Sequence, residues 1–291
     1  MVKSFKVAGH LFSLTLPDSS PLWELLTQYD PFEADSSECP LFTLELADTL
    51  PEGEKENVYD APAEDGETVV RLFSQAGGWL IEMTPDHRVP VVARMWTDAS
   101  FRKARLMLLS RRKSDALFAV NNSLMLLYAF RTASLGTLEM HASVVVKDGR
   151  SYLFLGKSGT GKSTHSRQWL SLFPDARLMN DDNPIVRVWP DGSIIAYGSP
   201  WSGKTPCYRN EQAPVGAFVL IRQSPDNVLT PMELLESYAT LYSSCSGFKA
   251  DRAMADGLHC TLEKTVTTVP CFILDCRPDE DSARVCHNGV K

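Results

Sequence analysis

Residues 156–163 read Gly156-Lys157-Ser158-Gly159-Thr160-Gly161-Lys162-Ser163, the spacing G-x-x-x-x-G-K-[ST]. Glycines let a backbone curl until successive N–H groups converge on one point, which suits an anion. A helix opening after them adds its positive end. A lysine in this place reaches the β- and γ-phosphates of a nucleotide, and the serine hydroxyl ligates Mg2+. The spacing therefore predicts a phosphate loop: Ser158, Gly159, Thr160, Gly161, Lys162, Ser163 and Thr164 around the phosphates, with Lys162 an exposed loop cation.

Such a loop needs a carboxylate partner for the metal, at the end of a neighbouring strand. Asp181-Asp182 follows the short apolar run Ala176–Met179 and is the natural candidate. Adjacent carboxylates repel, so a cation beside one is favoured and the other is left for general base work. His141 opens a strand beside the one entering the loop. Lys204, in the polar loop 198–205, and Arg209 nearby are candidate substrate clamps.

The loop requires a strand before it and a helix after it. Ser151–Leu155 supplies an apolar strand, and 164–173 carries Trp169, Leu170 and Phe173 at helical spacing before Pro174. Upstream, His141–Val146 is a second strand. Lys147-Asp148-Gly149-Arg150 forms a tight turn between them, so the two strands pair as a hairpin rather than through a parallel crossover. Further strands are expected at 185–189, 193–197, 217–221 and 271–274, and helices at 117–130 and 232–242.

The N-terminal part, 1–113, reads as a β-rich region, and 114–291 as the catalytic domain. Val69–Phe73 and Trp79–Met83 form a hairpin about Gly77-Gly78. Residues 48–67, rich in acid, proline and glycine, read as an exposed loop. The basic cluster Arg102, Lys103, Arg105, Arg111, Arg112 and Lys113 reads as a solvated helix face and helix end.

The 291 residues carry a net charge of -7, which disfavours non-specific nucleic-acid binding. Seven cysteines without C-x-x-C spacing indicate neither a zinc site nor a disulfide framework. The opening residues lack an apolar leader core and no stretch suits a membrane span, so a cytoplasmic protein is expected.

His141-Ala142-Ser143, the loop 156–164 and Asn180-Asp181-Asp182, in this order, resemble the catalytic domain of HPr kinase/phosphorylase, in the phosphoenolpyruvate carboxykinase-like P-loop superfamily. The resemblance is strong over about 40 residues. It implies an α/β fold with a mixed, largely antiparallel sheet. It implies ATP and Mg2+, with Asp181 as base, Asp182 and Ser163 at the metal, and His141 near the phosphate. The activity implied is transfer of the γ-phosphate to a hydroxyl acceptor: a serine of a peptide or protein, or a small alcohol. A nucleotide-binding regulatory or assembly module without turnover and a carboxykinase-like lyase are the alternatives. The signature that follows the double aspartate in HPr kinases is missing, and residues 198–205 form a different loop.

Overall fold

The computed structural model describes residues 1–35, 38–60, 68–203 and 205–291. The chain divides into two units, Met1–Arg131 and Thr132–Lys291. It is an α/β protein with one mixed sheet in each unit.

The first unit holds β1 (Val2–Val7), β2 (His10–Thr15), β3 (Thr43–Leu46), β4 (Lys55–Asp60), β5 (Val69–Gln75), β6 (Gly78–Thr84), β7 (Ala93–Asp98), β8 (Lys103–Leu108) and the long helix α1 (Lys113–Thr132). The sheet runs in the order β1-β2-β3-β8-β7-β6-β5-β4. Three expectations change here. Residues 55–60 are not loop but β4, an exposed edge strand held by its ladder to β5 rather than by apolar burial; residues 61–67 lie outside the described residues. The β5–β6 turn is Ala76-Gly77, and Gly78 pairs with Gln75, where any Cβ would collide with the Thr97 carbonyl. The basic segment 103–105 is strand, not helix: Ala104 and Leu106 are buried on one face, a period of two, while Arg105 crosses to Glu45.

The second unit holds β9 (Thr137–Glu139), β10 (Ala142–Lys147), β11 (Arg150–Leu155), α2 (Lys162–Leu172), β12 (Arg177–Asp182), β13 (Ile185–Val188), β14 (Ile194–Tyr197), β15 (Gln212–Gln223), β16 (Val228–Pro231), α3 (Leu234–Ser243), α4 (Arg252–Thr268), β17 (Cys271–Cys276) and α5 (Glu280–Gly289). Of its eight strand pairings among the described residues, only β11/β15 and β15/β17 are parallel. The hairpin β10–β11 forms as expected and turns at Asp148-Gly149.

Both faces of this sheet are covered, which explains its continuous apolar runs. Val144, Val146, Leu153, Leu155 and Phe218 point to one core, shared with Leu241 of α3 and Leu258 and Leu262 of α4. Val145, Tyr152, Phe154, Val219 and Ile221 point to the other, shared with Trp169 of α2 and Ala283 and Cys286 of α5. Helices α4 and α5 escaped the sequence reading. Packing on the sheet supplies what propensity does not. No helix among the described residues is long and apolar enough to cross a membrane.

Trp169 is fully buried and its indole N–H donates to His165 Nε2 at 3.0 Å. The Ser282 hydroxyl of α5 lies 3.3 Å from the other ring nitrogen. Burial pushes His165 from 6.5 down to about 4. Between those values the unfolded chain binds a proton that the folded chain refuses. Stability is therefore full above pH 6.5 and falls as pH drops toward 4, by up to about 1.4 kcal/mol per pH unit. Urea titrations across this window are expected to show that slope, and His165→Gln is expected to flatten it by up to one proton.

Candidate functional site

The glycine-rich turn joins the end of β11 to α2, with the strand–turn–helix order expected of it. All three of its glycines adopt positive φ, Gly159 at 82°. Gly156 sits at φ 142°, where a Cβ would also meet the Thr160 hydroxyl, and Gly161 at φ 111° is the N-cap of α2. With glycine as N-cap, no side chain satisfies the first N–H groups of the helix. Thr160 folds back on the turn through its hydroxyl, which donates to the Lys157 carbonyl at 2.9 Å.

Lys162 is not the exposed cation that the sequence suggests. It opens α2, is 8 % exposed, and reaches back under the turn. Its Nζ donates to the carbonyls of Gly156 at 2.8 Å and Lys157 at 3.2 Å, and lies 2.9 Å from His141 Nε2. Burial lowers its pKa from the ordinary lysine value, while Asp182 and Asp181 oppose that shift. His141 Nδ1 in turn lies 3.1 Å from Asp182 Oδ1. A chain of polar contacts thus runs Asp182–His141–Lys162.

The aspartates part company because they are neighbours on a strand. Asp181 pairs in register with Ser143, and Asp182 with Ala142. Ser143 faces α2, where its hydroxyl meets that of Ser166 at 2.6 Å, whereas Ala142 belongs to the core on the other face. Alternation therefore turns Asp181 toward α2 and Asp182 away from it. Ser163 Oγ accordingly donates to Asp181 Oδ1 at 2.9 Å, not to Asp182. Asp182 instead meets His141 around the strand end and accepts from the Asn183 side-chain amide at 3.0 Å.

Asn180, quoted above only as part of a motif, and Glu139, which sequence reasoning did not single out, build this corner. Asn180 is fully buried, and its amide donates to Ser199 Oγ and the Trp201 carbonyl at 3.1 Å. Its carbonyl oxygen accepts the Asp182 backbone N–H at 3.1 Å. The loop after β14 is thereby pinned against the double aspartate. It approaches so closely that a Cβ on Gly203 would stand 3.2 Å from the Asp181 carbonyl and the Asp182 side chain. Glu139, at the end of β9, is 1 % exposed, and burial raises its carboxyl well above the ordinary range. Burial is what marks Asn180 and Glu139, and one sequence does not display burial.

Of the two expected clamps, Lys204 lies outside the described residues. Arg209 pairs with Glu211, which also binds Arg177, and stays outside the Asp182–His141–Lys162 chain. On the opposite flank of β11, a cavity of about 290 Å3 opens beside the turn. Thr160, Gly161, Thr164 and Gln168 line one wall, and Gln223, which ends β15, and Arg277, just past β17, the other. It lies at the carboxyl ends of the parallel strands, where open α/β sheets hold ligands.

No protein-family profile matches this chain. No curated protein matches it either. Among solved structures it is similar to the Hpr(Ser) kinase/phosphatase from Coxiella burnetii, at 13% sequence identity and a TM-score of 0.31, over 52% of this chain and 95% of that one.

Asn180→Ala is expected to leave the Ser199 hydroxyl and the Trp201 carbonyl short of a buried donor. The loss is about 1–3 kcal/mol of stability, read as a lower urea midpoint at unchanged slope.

Proposed function

We propose that the second unit is an ATP-dependent, Mg2+-requiring phosphotransferase of HPr kinase-like type, acting on a hydroxyl acceptor. The observation that carries this reading is the Ser163–Asp181 hydrogen bond at the foot of the glycine-rich turn. It joins the hydroxyl and the carboxylate that a nucleotide-bound magnesium ion requires, directly beneath a helix end without a side-chain cap.

The residues suit both groups. Oxygen ligands of one hydroxyl and one carboxylate, completed by phosphates and water, fit a small hard cation. Uncapped N–H groups and a lysine fit a polyphosphate. Backbone amides of 158–163 and Lys162 hold the phosphates, and Ser163 with Asp181 holds Mg2+. The bond of Ser163 to Asp181 supports giving the metal to Asp181, whereas the family resemblance gave it to Asp182. The cavity between Gln168 and Arg277 takes the nucleoside, because it flanks the turn on the side away from the aspartates. The bound ATP supplies the γ-phosphoryl group, and the protein contributes positioning and charge neutralisation. An acceptor meets the γ-phosphate on the side of His141 and Asp182.

Lys162→Met keeps the aliphatic stem and removes the charge. It is expected to abolish MgATP binding in calorimetric titrations while circular dichroism stays that of the parent; parental affinity would sink the phosphate-loop assignment. Asp181→Asn is expected to raise the Mg2+ requirement and weaken MgATP binding. Asp182→Asn is expected to bind MgATP as the parent does and to release phosphate more slowly. Equal loss of binding in both variants would mean that the two carboxylates form one metal site. Phosphate release from ATP by the parent separates a phosphotransferase from a binding module without turnover.

A further inference from the structure

A lysine ammonium has three N–H donors and no acceptor. In Lys162 all three are committed, to the Gly156 and Lys157 carbonyls and to His141 Nε2. Against a donor-only partner, Nε2 must present its lone pair. The ring proton therefore sits on Nδ1, where Asp182 Oδ1 accepts it across 3.1 Å. Both ring nitrogens are thus assigned by their neighbours: Nε2 accepts and Nδ1 donates, with a carboxylate behind the ring and an ammonium in front. A hydroxyl base oriented by a carboxylate has this same arrangement, except that here the reactive nitrogen is covered.

Lys162 can meet a phosphate oxygen only by giving up one of its three bonds. Two of them hold the turn to its own stem. The third goes to a side chain on the approach to β10, half exposed and open to an incoming molecule. The competing bases have other duties, Asp181 at the metal in the reading above and Asp182 behind His141. Asp181 is engaged by Ser163, and Asp182 by both His141 and Asn183.

We propose that His141 is the catalytic base of the phosphotransfer, positioned by Asp182 and masked by Lys162 until nucleotide phosphate draws the lysine away. This rests on the kinase reading given above. In the reaction, Nε2 takes the proton of the acceptor hydroxyl as its oxygen bonds to the γ-phosphorus. The bond from that phosphorus to the β,γ-bridging oxygen breaks, and the electron pair leaves with ADP. Asp182 stabilises the imidazolium, which then returns the proton to solvent. The masking makes order a property of the site: acceptor hydroxyls meet an available base only after the nucleotide is in place.

The test uses the full chain, with water as the acceptor. His141→Ala is expected to bind MgATP at least as tightly as the parent, because a competitor for Lys162 is gone. Its single-turnover phosphate release is expected to fall by ~10²–10⁴-fold and to recover in part with added imidazole. His141→Gln, which keeps a polar side chain, is expected to show the same kinetic loss. In the ¹⁵N-labelled parent, the His141 Nε2 resonance is expected to shift when the Mg2+ complex of a non-hydrolysable ATP analogue binds, reporting loss of the lysine bond. A His141→Ala protein that releases phosphate at the parental rate, that loses nucleotide affinity in step with rate, or that imidazole leaves unchanged would overturn the proposal while the kinase reading stands. So would a ring signal indifferent to the analogue. A parent that binds no MgATP overturns both.

Discussion

Lys162 is the hinge of this site because a buried ammonium must be fully hydrogen-bonded. It lies beneath a turn whose glycine conformations leave two carbonyls pointing inward, and those carbonyls take two of its three N–H groups. The remaining bond, to His141, ties the start of α2 to the approach of β10. Through His141 it extends to the end of β12. Three elements far apart in sequence are thereby drawn to one point by the solvation requirement of one charge.

The sheet supplies the frame for that point. Because β10 pairs with β11 on one edge and β12 on the other, all antiparallel, the start of β10 lies beside the ends of both neighbours. The turn and the double aspartate emerge there together, on either side of His141. A parallel neighbour in place of β10 would send its chain end, rather than its beginning, to this corner. The parallel strands β15 and β17 lie on the other flank, and their carboxyl ends form the wall of the cavity. One mixed sheet thus separates a charged corner from a more neutral cleft, with the glycine-rich turn between them.

The charges of the corner are set by placement. One ammonium faces two carboxylates, and burial raises the carboxyl of the nearby Glu139 well above the ordinary range. Asn180, buried beneath the aspartates, accepts the Asp182 N–H and fixes the following loop through its amide. The approach of Gly203 is close enough that a Cβ there would press on the Asp181 carbonyl and the Asp182 side chain at 3.2 Å. The corner is closed by the loop on one side, and on the other His141 is half exposed.

The sequence by itself determined the local elements that carry a strong signal. These are the strand–turn–helix around 156–163, the Asp148-Gly149 hairpin, the helix over 117–130, and the company of His141, Lys162 and the double aspartate. Spacing and turn chemistry act over a few residues, so they are legible in one dimension. Tertiary structure decided what those residues do to one another. Burial turned Lys162 inward, and strand alternation sent Asp181 to Ser163 and Asp182 to His141. The alternating burial of Ala104 and Leu106 made the basic segment a strand, and a ladder to β5 made an edge strand of an acidic segment that composition reads as loop. Each of these outcomes depends on which face of an element meets another, and that is settled only when distant parts of the chain pack.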